Sequence, residues 1–261
     1  MGQRTSYASG TFSWVDLSTS DPEAAKSFYE GLFGWTHEDM PTGNGTYAMM
    51  RLNGKDVAAI AGQMDQEREQ GIPPHWNNYV TVEDIDSSAA KASELGGTIM
   101  MEPFDVMDVG RMAVLADPTG AVFMLWQPKR HFGAGLVNEP GSLSWNELGT
   151  KDTAKAKEFY SSLLGWSNED FDGGAYTIVR VGDKSNGGIR PQTEQEANIP
   201  PNWLPYFAVA DCDSSAAKAA ELGGTALVPP MDVPVADDSR IAVIADPQGA
   251  VFGLFSGPLD P

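Results

Sequence analysis

The sequence predicts an α+β protein made by tandem duplication. Two observations carry that prediction. Strand-like and helix-like periodicities follow one another as one strand, one helix and about three strands, an order that recurs four times along the 261 residues. The two halves of the chain also repeat each other in register.

The repeat is explicit. WVDLSTSDPEAAKSFYEGLFGW around Trp14 returns as WNELGTKDTAKAKEFYSSLLGW around Trp145, 131 residues later. PPHWNNYVTVEDID from Pro73 returns as PPNWLPYFAVADCD from Pro200, and RMAVLADPTGAVF from Arg111 as RIAVIADPQGAVF from Arg240. The spacing drifts by a few residues, as loop insertions and deletions require. Domains are therefore expected at 1–130 and 131–261. The linker lies within Pro128–Ser142, and its basic trio Lys129, Arg130 and His131 is read as solvated chain.

Each element has a local reason. Thr11–Ser18 alternates apolar and polar residues, as a strand does. Asp21 and Pro22 supply an N-cap and a first-turn proline; Ala25, Phe28, Tyr29 and Leu32 follow at helical spacing, and Gly34 closes the helix. Tyr47–Leu52 and Val57–Ala61 read as strands, with Gly43-Asn44-Gly45 as a hairpin turn. In the next module Tyr79–Val82 is a strand, Asp86 caps a helix, and Gly96-Gly97 ends it. Strands follow at Thr98–Phe104, Arg111–Ala116 and Ala121–Trp126.

Composition narrows the function classes. Hydrophobic residues make up 41% and charged residues 20%, enough to bury a core. A net charge of −19 repels phosphate backbones and anionic lipid, so neither nucleic acid nor a membrane surface is expected as a partner. Cys212 is the single cysteine, which suits a reducing compartment. The first residues lack the apolar core of a secretory signal, and no apolar run nears the roughly 20 residues of a membrane span. A cytoplasmic location is the expectation. Oligomeric state is left open.

The doubled βαβββ module, with D-x-x-x-A-x-x-FY-x-x-L-x-G at Asp21–Gly34 and nearly so at Asp152–Gly165, resembles the vicinal oxygen chelate superfamily. The strand-end and helix-start at Val82–Asp86 and the DP-x-G turns at Asp117–Gly120 and Asp246–Gly249 add to the likeness. That superfamily holds glyoxalases, bleomycin-resistance proteins and extradiol dioxygenases. The tandem arrangement is similar to a two-domain actinobacterial type that includes a mycobacterial antigen. The resemblance implies a U-shaped sheet per domain with the ligand in its concave face. It also implies metal ligands on the first, fifth and last strands. Those places hold Trp14, Asn77 and Met124 in the first half, and Trp145, Leu204 and Gly253 in the second. Indole, thioether and glycine do not replace imidazole and carboxylate on a divalent ion. No tightly held metal or other cofactor is expected, and a weakly held divalent ion on oxygen ligands stays open.

Strand alternation names the cup faces. Phe12, Trp14 and Asp16 point inward together, as do Leu143, Trp145 and Glu147. On the fifth strands Asn77 and Tyr79 match Leu204 and Tyr206; on the last, Met124 and Trp126 match Gly253 and Phe255. Gly253 in place of Met124 suggests a roomier second cup at that strand. The expected ligand-binding set is thus Trp14, Asn77, Tyr79, Met124 and Trp126, with Trp145, Tyr206 and Phe255 in the second half. The alternative is that these side chains simply fill the cup as core.

Asp16 and Glu147 are the candidate catalytic residues, because each carries a carboxylate into an aromatic wall where desolvation raises its pKa. A purely structural carboxylate is the competing reading. Arg111 and Arg240 recur in register and are candidate partners, unless they hold the loops of Asp105 and Asp232. His37, His75 and His131 all fall in or beside loops of the first half and are read as surface or loop residues rather than ligands. Binding of a small hydrophobic or aromatic molecule is the leading function. A glyoxalase-like lyase or isomerase, or an oxygenase of hydroxylase type, using Asp16 or Glu147, is the alternative, and a structural or signalling role has no sequence support.

Overall fold

The computed structural model describes residues 2–43, 45–233 and 238–259. Met1 and Asn44, the centre of the expected hairpin turn, lie outside the described residues. The first half runs β1 (Phe12–Thr19), α1 (Pro22–Phe33), β2 (Thr36–Thr42), β3 (Gly45–Leu52), β4 (Lys55–Gly62) and α2 (Asp65–Glu69). It continues with β5 (His75–Thr81), α3 (Ile85–Glu94), β6 (Thr98–Val106), β7 (Gly110–Ala116) and β8 (Val122–Pro128). The second half runs β9 (Leu143–Thr150), α4 (Thr153–Leu164), β10 (Ser167–Phe171), β11 (Tyr176–Val181) and β12 (Lys184–Pro191). It ends with β13 (Asn202–Ala208), α5 (Cys212–Glu221), β14 (Thr225–Asp232), β15 (Arg240–Ala245) and β16 (Val251–Ser256).

Each half forms one eight-stranded mixed sheet, ordered β2-β3-β4-β1-β5-β8-β7-β6 and β10-β11-β12-β9-β13-β16-β15-β14. The class is α+β, as expected. Parallel pairs β1–β4 and β5–β8 close each module, and the antiparallel β1–β5 pair joins the two modules through the middle of the sheet.

The helices start and stop as their sequences dictate. Asp21 accepts from the Ala24 amide and Gly34 closes α1 in the left-handed conformation; Asp152 and Gly165 do the same for α4. The cap of α3 is Asp84, which accepts from the Ser87 amide, and not Asp86. Buried Ile85 fixes the first helical position, which leaves Asp86 in the first turn, free to pair with Arg111. Strands β2 and β10 were not predicted: both are edge strands, almost wholly exposed and polar, and carry no alternating apolar face.

The two sheets stand back to back with the helices between them. Helix α1 packs into one cluster with Phe207, Cys212, Phe252 and Leu254 of the last module. The second and third modules share another cluster, through Val80, Ile85, Phe123, Phe159, Tyr160 and Trp166. Polar bonds lock this arrangement twice. Tyr29 donates to Asp246 at 3.0 Å and accepts from Trp76 Nε1 at 3.1 Å; Tyr160 donates to Asp117 at 2.9 Å and accepts from Trp203 Nε1 at 2.8 Å. The other oxygen of each aspartate holds its own DP-x-G turn, accepting amides of residues 119–121 at Asp117 and of residues 248 and 250 at Asp246. Trp35 and Trp166 donate across the halves to the carbonyls of Gly141 and Gly10, each at 2.7 Å. The FY and DP-x-G motifs therefore belong to the domain interface.

Tyr160→Phe removes one hydroxyl and orphans two buried groups, Asp117 Oδ2 and Trp203 Nε1. The expected loss is roughly 1–3 kcal/mol for each group left unpaired, measured by urea unfolding. A stability equal to wild type would show that the interface does not depend on this bond.

Candidate functional site: two unequal cups

The faces of the sheets turned away from the helices form the cups. In the first, one cluster links Tyr47 and Met49 on β3, Trp14 on β1, Tyr79 on β5, Met124 and Trp126 on β8, and Met112 and Val114 on β7. Trp14, Tyr79, Met124 and Trp126 are all buried, at 3–6% exposure. The first cup is thus filled by its own side chains.

Phe12 is not among them, contrary to strict alternation. The β1–β5 register shifts between Phe12 and Trp14, and this irregularity turns Phe12 to the helical side, where its ring lies 4.8 Å from Trp203. The matching shift in β9–β13 sends Leu143 to the interface while Trp145 stays on the cup face.

Residues 131–137 are not free linker. They run over the first cup, with the Ala134 amide on the Ser13 carbonyl at 2.8 Å and the Gly135 amide on the Asp56 carbonyl at 2.7 Å. Residues 2–4 pair with this segment, and Tyr7 donates to the Ala134 carbonyl at 2.7 Å. Gly133 approaches β1 so closely that a Cβ would sit 2.4 Å from the Ser13 oxygen, with φ at +118° besides. His131 lies in a loop, as expected, but is partly buried, edge-on to Trp14 at 4.6 Å, and its carbonyl accepts from Trp126 Nε1. Burial pushes its imidazole pKa down.

Asp16 is buried on the same strand as Trp14. One carboxyl oxygen accepts from Asn77 Nδ2 at 2.9 Å; the other accepts from Tyr79 at 2.8 Å and Tyr47 at 3.0 Å. Trp14 Nε1 in turn donates to Tyr47. All three donors to the carboxylate are neutral. Burial raises its pKa, and the hydrogen bonds from Asn77, Tyr79 and Tyr47 offset only part of that.

The second cup keeps the scaffold and changes the charge. Trp145 Nε1 donates to Tyr176 at 2.8 Å, as Trp14 does to Tyr47. Glu147 accepts from Tyr206 at 3.3 Å and from Arg190 Nε at 2.8 Å. Arg190 reaches on to Glu196 at 2.7 and 2.8 Å, and this bond lowers the Glu196 pKa to about 2. Arg111 and Arg240 partner neither carboxylate: they bind Asp86 and Asp213 and reach Asp105 and Asp232, which is the loop-holding role.

Gly253 does not make the second cup roomier at its last strand. A Cβ there would meet the Tyr206 ring at 2.1 Å, so the ring covers the backbone that Met124 covers in the first cup with its own side chain. What differs is the exposure of two aromatic positions. Trp145 and Phe255 are partly buried where Trp14 and Trp126 are buried, whereas Leu204 is as partly buried as Asn77 and β14 exposes Leu227 and Met231 much as β6 exposes Met100 and Phe104.

Tyr47, Tyr176, Arg190 and Glu196 were missed by sequence reasoning. The two tyrosines recur in register, and the repeat could have shown them. Arg190 could not be found so: its strand position is held by Ala61 in the first half.

The donor sets do not suit a divalent transition metal. Trp14 and Trp145 spend their N–H groups on tyrosines, Asn77 is engaged with Asp16, and Met124, Leu204 and Gly253 offer no hard donor. Among the described residues no three His, Cys, Asp or Glu side chains come together. None of their helices is long and apolar enough to cross a membrane.

The profile described as the Glyoxalase/Bleomycin resistance protein/Dioxygenase superfamily matches residues 11–125. CFP32 of Mycobacterium tuberculosis, provisionally designated a glyoxylase, is 44% identical over 259 residues, covering 97% of each chain. The chain belongs to this superfamily. The anthracycline biosynthesis protein DnrV of Streptomyces peucetius is 36% identical and covers 96% of this chain and 94% of its own. Among solved structures, the Mn(II)-bound glyoxalase of Novosphingobium aromaticivorans superposes with a TM-score of 0.68 at 16% identity, over 95% of this chain and 82% of that one. The 2,3-dioxygenase LapB of Pseudomonas sp. KL28 gives 0.68 at 14% identity, over 98% and 95%. These two likenesses show the superfamily's fold.

The raised pKa of Asp16 sets a sign. Its folded carboxyl holds a proton more tightly than the unfolded one, so its contribution is full below the ordinary carboxylate range. That contribution is lost as pH rises through the folded value. Asp16→Asn can keep an oxygen on Tyr47 and Tyr79 without a buried charge. Its melting temperature relative to wild type is expected to climb as pH rises from the ordinary carboxylate range towards neutrality and beyond. A difference that is flat or falls with pH would contradict this.

Proposed function

We propose that the second cup binds a small, largely apolar or aromatic molecule, without a resident transition metal, and that the first cup is its packed counterpart. One observation carries the reading: Trp14 and Trp126 are buried in the first half, whereas their equivalents Trp145 and Phe255 are partly exposed in the second. Trp145, Leu204 and Phe255 offer apolar surface, and the Glu147–Arg190 pair offers a polar point to orient a carbonyl or hydroxyl. Pockets for such ligands combine many apolar contacts with few placed polar groups. That two Streptomyces relatives are named for anthracycline biosynthesis supports a polycyclic aromatic ligand. The buried thiol of Cys212, the single cysteine, fits a reducing cytoplasm.

A catalytic variant of this reading rests on Glu147. It is the carboxylate of the second cup, and Arg190 and Tyr206 hold it in place. Proton transfer to or from a bound hydroxyl, or a carbon α to a carbonyl, would fall to it, as in a lyase or isomerase step.

Calorimetry with a neutral hydroxyanthraquinone tests the proposal. Phe255→Ala is expected to weaken binding about tenfold, because a stacked ring contributes on the order of 1 kcal/mol beyond its buried area. Trp126→Ala in the first cup is expected to lower stability by roughly 3–5 kcal/mol while the folded protein keeps its affinity. Unchanged affinity in Phe255→Ala would refute the assignment to the second cup. Elemental analysis after dialysis is expected to find far less than one zinc, iron or manganese per chain; a stoichiometric ion would overturn the metal-free reading.

A further inference from the structure

An open cavity of about 380 Å³ lies at one end of the first cup. Three segments surround it: Arg4 and Thr5 near the N-terminus, Arg51 to Asp56 around the β3–β4 turn, and Arg130 to Gly135 of the linker. Its volume is within the roughly 300–1,000 Å³ of small-molecule sites. Its charge is against the molecule's trend. The chain has a net charge of −19, yet four of its seventeen Lys and Arg residues line this one cavity, with Asp56 the single acid among the lining residues.

These cations are not all engaged. Arg51 pairs with Asp56 and Glu38, and Arg130 with Asp108. The Arg4 guanidinium reaches only the Gln3 carbonyl, at 3.2 Å, and Lys55 has no ion pair or side-chain hydrogen bond among the described residues. His131 also lines the cavity, and its Nε2 is buried without a hydrogen-bond partner. Phe132, 6.5 Å from Tyr7, provides an apolar wall beside the cations.

We infer that this cavity binds a small organic oxyanion, a carboxylate or a phosphate ester carried on an apolar body. Lys55 and Arg4 hold the charged group, and Phe132 packs against the body. Charge-assisted contacts from cations to an oxyanion are the strong class of hydrogen bond, and the cavity gathers cations on a chain of net charge −19. The site stands apart from the second cup, and neither Lys55 nor Arg4 takes part in any contact named for either carboxylate. The cover of residues 131–137 forms part of its wall, so occupancy would brace that cover over Trp14 and Trp126.

The test is calorimetric titration of the full chain at low ionic strength with benzoate and, separately, phenyl phosphate. The two probes share the apolar body and differ in the anion, so their relative affinities assign carboxylate or phosphate. Saturable binding of at least one is expected. Lys55→Gln or Arg4→Gln should weaken it about tenfold, the loss of one charge-assisted bond. Lys91→Gln, an exposed lysine on α3, should leave it unchanged, and all three variants should melt close to wild type. Three results would overturn the inference: no saturable binding of either probe by wild type, unchanged affinity in both site variants, or equal weakening by Lys91→Gln.

Discussion

The structure depends on a buried hydrogen bond that crosses between the halves: a helix tyrosine of one domain donating to the turn aspartate of the other. Each aspartate is divided between two tasks. One oxygen collects backbone amides and holds the DP-x-G turn, and the other accepts the tyrosine. Each tyrosine oxygen also accepts an indole N–H, so a carboxylate, a phenol and an indole are satisfied together away from water. Such a chain is costly to break and tolerates few other packings, which fixes how the sheets meet. Burial raises the Asp246 carboxyl's pKa, its turn amides and Tyr29 working against that. The same arrangement occurs twice, so each half must present both a tyrosine and an aspartate, and this is why those residues return in register.

This explains why the most recognisable motifs say little about chemistry. They sit on the convex side, in the helical layer between the sheets. The cup faces are free to differ, and they do. Around Asp16 the solution is neutral: three uncharged donors saturate the carboxylate in a buried site, and desolvation dominates its ionisation. Around Glu147 a guanidinium is added from β12, itself shared with Glu196. Two carboxylates at equivalent strand positions thus meet opposite electrostatics.

Much of the fold was legible because it follows from periodicity, caps and the internal repeat. Strands β1, β3, β4 and β5, helix α1 with its Asp21 and Gly34 ends, and the doubled module all have local signals. The site was legible in part. Asp16, Asn77 and Tyr79 meet as alternation places them, and so do Glu147 and Tyr206. Phe12 was misplaced because a register shift is invisible to a period-two count. Arg190 was missed because no residue of the first half answers to it. The linker was misjudged because Lys129, Arg130 and His131 look polar, although His131 turns its ring onto two tryptophans.

That linker settles the difference between the cups. A duplication gives two copies of the sheet but one connection between them, so the connecting chain is the element that the repeat cannot supply twice. Here it leaves β8, crosses the open end of the first cup and is held there by backbone bonds to β1 and the start of β4 before entering β9. Residues 2–4 add a pairing from the other side. Backbone hydrogen bonds of this kind require little of side chains, and Gly133, Ala134 and Gly135 are small enough to lie flat against the sheet. Packed beneath them, Trp14 and Trp126 become core, whereas Trp145 and Phe255 keep part of their surface in contact with solvent. The buried apolar face and the partly exposed one therefore differ in what the chain lays across them as well as in their own residues.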